Sequence, residues 1–253
     1  MTDSRLGRAL IGLAAVIAGV VVWELASLRT NPVFLPSPWL TLTSVGELWD
    51  DGTLWQSVAA SSARILTGWS LGLVVGIPVG ILMGRFKLVR QLLDPYIEFF
   101  RFIPPIAFVT LAVIWLGPGE ASKVALILYT TIFIVMLNVI AGVLSVSELR
   151  LRAAASLGAG RLSSLLTVIV PSTVPYMVTG ARIAMGNSFL TIVSAEIVAA
   201  QQGLGALIWT SRNYGRTEWV FVGIIVLGAL GFVFDRVVRL LASRLLRRYG
   251  VAV

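Results

Sequence analysis

Val124–Leu144 runs for 21 residues without an Asp, Glu, Lys or Arg. That is enough to cross ~30 Å of hydrocarbon as one helix, since about 20 apolar residues at 1.5 Å each suffice. Five further apolar stretches accompany it: Ala9–Leu28, Ile65–Gly84, Phe102–Leu116, Met177–Ala200 and Trp219–Leu241. Hydrophobic residues make up 57% of the 253-residue chain and charged residues 13%, about half the share usual in a soluble domain. A domain of this length cannot hide so much apolar surface in its own core. The surplus faces lipid, which excludes a soluble enzyme, a disordered tail and a disulfide-stapled secreted scaffold.

Six stretches predict six spans in a single membrane domain covering 1–253. The first reads as an uncleaved anchor: it is longer than a signal-peptide core and has no clean cleavage site after it. The third is short, 15 residues after Arg101, so it is expected to begin earlier, near Tyr96, with Arg101 snorkelling to the interface. Fourteen of the 20 basic residues fall at the termini or in the loops on the termini side, and four (Arg29, Lys123, Arg212, Arg216) fall opposite. Basic loops mark the cytoplasm, so both termini are expected inside. The net charge of +8 is accounted for by this bias, and nucleic acid is not expected as a partner. With no Cys and no His, thiol chemistry, imidazole relays and the commonest metal ligands are absent; no metal site is expected.

Inside the second span Gly68, Gly72, Gly76, Gly80 and Gly84 recur every four residues. That spacing lines them on one helix face, where missing side chains let a neighbouring helix come close. Pro78, among them, predicts a kink. Pro104 and Pro105 open the third span, either as a helix start or as backbone lining a pathway. Asn138, Asn187 and Ser188 are polar groups within spans, candidates to line a cavity or to bond helix to helix. Glu24, Glu196 and Arg182 are read as the charges within spans. All three lie near span ends, with structural roles favoured, and Glu196 is kept as a pathway candidate.

The longest loop on the termini side, about 147–175, is of a different kind. Ala153, Ala154 and Ala155 favour helix, Gly158 stops it, and the apolar run to Val170 predicts a second short helix closed before Pro171. A helix–turn–helix between two spans, with small residues on its surface, invites a partner.

This segment resembles the cytoplasmic EAA loop of ATP-binding-cassette importer permeases. Ala153 and Ala154 match its alanines, Gly158 its glycine and Pro171 its proline. Arg152 stands where the pattern has Glu, so the contact that Glu makes is not carried over; Ala159, Gly160 and Arg161 continue the loop. Three more runs resemble permeases of taurine, alkanesulfonate, nitrate and bicarbonate importers: Arg101–Ala107, Trp115–Lys123, and Ala195–Ala200 followed by Gly203-Leu-Gly205. The resemblance implies an all-α integral membrane protein of the type I, MetI-like fold. It implies a homodimer in the cell inner membrane working with two cytoplasmic ATPase subunits and an external solute-binding protein. ATP and Mg would be bound by the ATPase, with no cofactor in this chain. The sequence agrees: its two lysines, Lys87 and Lys123, follow Phe86 and Ser122, so neither sits in a P-loop. An ion-gradient-driven transporter and an assembly factor are the other classes compatible with the composition.

Overall fold

The computed structural model describes residues 5–246 and Tyr249; Arg247 and Arg248, counted above as basic on the termini side, lie outside them, as do the side chains of Arg5 and Arg8. The described residues form eleven α-helices with no strand among them. Five helical segments are long and apolar enough to cross a membrane: α1 (Arg5–Ser27), α3 (Thr53–Arg85), α6 (Glu120–Leu144), the run from α8 (Arg161–Ser164) through α9 (Val170–Ala199), and α11 (Thr217–Leu245). Two further pieces, α4 (Lys87–Phe100) and the stretch ending in α5 (Val109–Leu116), are together apolar enough for a sixth crossing and are bent by 90° at the break between them.

The centre is α6, sandwiched between α3 and α9. Val135, Val139 and Val143 of α6 pack with Ile169 and Ala184, and Ile127 packs with Ile65, Met185 and Ile192. At the end away from the termini, α2 (Pro38–Asp50) and α10 (Leu204–Asn213) close the bundle through Leu48, Leu54, Leu204, Leu207 and Val222. Ser37 caps α2 by accepting from the Leu40 N–H, and Pro38 fills the first turn where no N–H is needed. By contrast α1 is anchored chiefly by Trp23, which donates to the Pro36 carbonyl and stacks on Phe221, while Leu10, Leu13 and Val16 stay exposed. Such a face suits lipid.

Three expectations are corrected. The third span does not start near Tyr96 as one helix: α4 ends at Phe100, Arg101–Pro104 turn, a 3₁₀ turn follows over Pro105–Phe108, and only then does α5 run to Leu116. Two prolines in series deny the backbone two donors, so the helix cannot continue through them. Secondly, Pro171 does not close a short helix. Leu165–Ile169 adopt a π turn, the Val170 N–H bonds back to Leu165, and the chain runs straight into α9 with Pro171 in its first turn, where its missing N–H does no harm. Thirdly, the helix that holds the second span is longer than its apolar stretch: α3 begins twelve residues before Ile65, and Pro78 lies inside it.

A glycine seam, a buried charge cluster and a broken span

The five glycines of α3 all face α6 and are buried, except Gly84, which is half-buried. A Cβ on Gly68 would come within 2.6 Å of Ile127 Cβ, and one on Gly80 within 2.8 Å of Val139 Cβ. Gly72 is tighter still against Thr131, Gly84 is close against Val143, and Gly76 is the roomiest at 3.1 Å from the Ile132 carbonyl. Any side chain here must push two helices apart.

At the end of this seam away from the termini lies a cluster that the sequence reading missed. Arg64, buried in α3, bridges two carboxylates: Glu120 at the start of α6 through both Nε and an Nη, and Glu196 of α9 at 2.7 Å. Glu196 is 0% exposed. Its second oxygen accepts from the Gly205 N–H at 2.8 Å, and the Ser61 hydroxyl donates to it as well. Arg64 also donates to the Gln202 carbonyl, so the cluster ties α3, α6, α9 and the loop into α10 together. The Gly203-Leu-Gly205 run now has a physical reason. Gly203 has φ 135°, and a Cβ there would strike the Glu196 carboxyl; a Cβ on Gly205 would meet the Val193 carbonyl at 2.9 Å. Glu196 is therefore buried in the bundle and not snorkelling to an interface. A lone arginine in an otherwise apolar span was the available signal. Asp235 was overlooked in the same way: it lies within the last apolar stretch and pairs with Arg182 at 3.0 Å and with Arg239.

The break between α4 and α5 opens a cavity of about 570 Å³. Pro104, Pro105 and Asn187 line it; Asn138 and Ser188 do not. Asn138 bonds to the Ile134 carbonyl and packs under Gly180 of α9, and Ser188 is buried, bonded to the Ala184 carbonyl. The break is tied to α6 by Tyr129, whose hydroxyl donates to Phe100 O, which also accepts the Ile103 N–H, and is 3.2 Å from Ile103 O. Tyr129 lies nine residues into α6, ~14 Å from one end and ~22 Å from the other. The backbone of the break therefore sits beside the middle turns of α6 rather than at either of its ends. Arg101 is exposed, lines the cavity and holds its guanidinium 4.5 Å from the centre of the Phe102 ring.

On the termini side, α7 (Glu148–Ser156) and α8 form the helix–turn–helix. Gly158 has φ +81°, the left-handed backbone that ends α7. Arg152 pairs with Glu148 one turn earlier at 2.7 Å, so a carboxylate is present near the position where the pattern has Glu, supplied from four residues upstream. No residue of α7 is buried, and Leu149 and Leu157 are 78% and 89% exposed.

Five or six apolar helical segments, a break lined by a cavity and a projecting loop make this a multi-pass membrane protein. Residues 76–247 match the family described as "Binding-protein-dependent transport system inner membrane component". The taurine transport system permease protein TauC of Escherichia coli is 41% identical over 247 residues, covering 95% of this chain and 89% of that protein. The bicarbonate transport system permease protein CmpB of Synechococcus elongatus is 30% identical (96% and 91% covered), and the nitrate import permease protein NrtB of Leptolyngbya laminosa is 34% identical (77% and 70%). In fold the chain is similar to a chain of the inward-facing MetNI methionine ABC transporter, with TM-score 0.65 at 19% identity, covering 78% of this chain and 97% of that one. The chain belongs to the binding-protein-dependent transport system inner membrane components. It is a multi-pass inner-membrane permease subunit of an ABC importer, which works with a solute-binding protein, and ATP is hydrolysed by a separate subunit. Among the readings open at the outset, the ion-gradient-driven alternative gives way to this one.

Proposed function

We propose that this permease imports a small anion, a sulfonate, nitrate, bicarbonate or similar organic anion, as a homodimer carrying two ATPase subunits that bind ATP and Mg. Both termini lie in the cytoplasm, and the solute-binding protein docks on the opposite face. The loop 147–175 is the ATPase contact, with Ala153, Ala154, Ala155, Gly158, Ala159, Gly160 and Arg161 at its tip. The observation that carries this is α7 itself: a helix that buries none of its residues and holds Leu149 and Leu157 out to solvent is built to be covered by a partner. In this reading the glycine-seamed unit of α3, α6 and α9 moves as one body when the ATPases close, and the α4–α5 break changes its angle to open the path.

The test is uptake of radiolabelled taurine, nitrate and bicarbonate into vesicles holding the permease with its ATPase and binding protein, driven by ATP or by imposed ion gradients. ATP-dependent uptake is expected, and gradient-driven uptake without ATP would overturn the reading. Gly158→Val should lower ATP hydrolysis and uptake together, because a β-branched residue disfavours φ +81°, although there is open space around it.

A further inference from the structure

Arg101 is an exposed cation on the wall of the cavity that the α4–α5 break opens. Arg64 and Arg182 are each answered by carboxylates within bonding distance. Arg101, at the level of Tyr129, makes no ion pair and no side-chain hydrogen bond among the described residues; Glu98, one turn earlier, does not reach it. An unpaired cation on the wall of a cavity between spans is placed to meet a ligand that enters it.

Its surroundings fix the kind of ligand. The cavity wall carries this one cation and no carboxylate among the described residues. Thr130 and Thr191 spend their hydroxyl protons on their own helices, at Leu126 and Ile127 and at Asn187 respectively. Asn187 uses one amide N–H on Ile183 and keeps the other, and the Ser194 hydroxyl has no partner among the described residues. The unspent donors facing the cavity are therefore the Arg101 guanidinium, one Asn187 N–H and the Ser194 hydroxyl. The rest of the wall is largely apolar, including Phe102, Phe133, Leu137 and Leu190. Donors in excess, a single positive charge and an apolar flank suit one singly charged oxyanion on a small organic body. A dianion would lack its second counter-charge.

We infer that Arg101, set in the break between α4 and α5, is the counter-charge that receives the transported monoanion in the cavity between spans, with Asn187 and Ser194 completing an anion subsite in the permease itself. This rests on the anion-importer reading above and deepens it. A guanidinium offers a planar fork to two oxygens of a sulfonate or carboxylate, which an ammonium does not.

The experiment uses the assembled importer in vesicles, with taurine, ethanesulfonate and nitrate as probes. Arg101→Gln should cut uptake of both sulfonates by about tenfold or more, since it removes a charge-assisted pair, while ATP hydrolysis measured without binding protein and the assembly of the complex stay as in the parent. Because the chain has no Cys, Arg101→Cys can be modified singly. Attaching an aminoethyl group should restore part of the uptake, and attaching a sulfonatoethyl group should not. Unchanged uptake in Arg101→Gln, or equal rescue by both reagents, would overturn the subsite and leave the importer reading standing. Loss of assembly in Arg101→Gln would assign the residue to subunit contacts and overturn it too. Failure of the parent complex to import any of the three probes would remove the anion reading and this proposal together.

Discussion

Two elements pack against α6 in opposite ways. On one flank α3 meets it through a row of glycines, backbone against side chain, with Gly68 and Gly80 leaving no room for a Cβ. On another, the α4–α5 break meets it through rings: Phe108 lies 5.1 Å from Tyr129, edge to face. The first contact has one solution, because overlap of a few tenths of an ångström is penalised at once. The second is held by edge-on aromatics and by one hydroxyl reaching two carbonyls, an arrangement that tolerates rotation. The contrast separates a frame from a path within one short chain.

The contrast can be broken most forcefully at the charged end of the frame. Arg64→Ala leaves Glu196 wholly buried without its cation, and breaking such a pair costs about 3–5 kcal/mol. Loss of folded permease in detergent, read by thermal unfolding, is expected; Arg101→Ala, in the path, should leave that unfolding nearly unchanged. Next comes the seam. Gly72→Leu should cost about 1–3 kcal/mol or more through overpacking against Thr131. A smaller effect is expected from Tyr129→Phe, about 1 kcal/mol for a hydrogen bond shared between Phe100 O and Ile103 O. Its transport rate should fall further than its stability, since the break loses its tie. Smallest of all, Val75→Leu, on an exposed face of α3, should stay within about 0.5 kcal/mol of the parent.

How far these features were legible follows from what kind of pattern each leaves. The glycine spacing and the long apolar runs are periodic, so the seam and five spans could be read directly, as could the αL stop at Gly158. The broken span was not: a 15-residue apolar stretch beside a double proline fits a short helix or a turn equally, and only the position of Tyr129, 28 residues after Arg101, shows where the break is tied to α6. Pro171 misled for a related reason, since proline ends a helix only when the preceding turn needs its N–H, and a π turn removes that need. The Arg64–Glu120–Glu196 cluster joins residues 56 and 132 positions apart, a distance at which no spacing rule operates. A charge among apolar neighbours was visible, but its partners were not. Two glycines after Glu196 were noted as a run and make sense only once the carboxylate is seen lying against them.

The division into frame and path is tested most directly by distances across each, measured between spin labels on a chain with no native cysteine to remove. One pair, Val74→Cys in α3 with Ile183→Cys in α9, spans the frame; the other, Leu92→Cys in α4 with Ile114→Cys in α5, spans the break, and all four sites are exposed. Labelled chain is diluted with unlabelled chain so that only distances within one subunit are read, in complexes without nucleotide and trapped with ATP. The frame distance should be the same in both states, and the distance across the break should shift. A frame distance that moves while the break stays fixed would contradict the division.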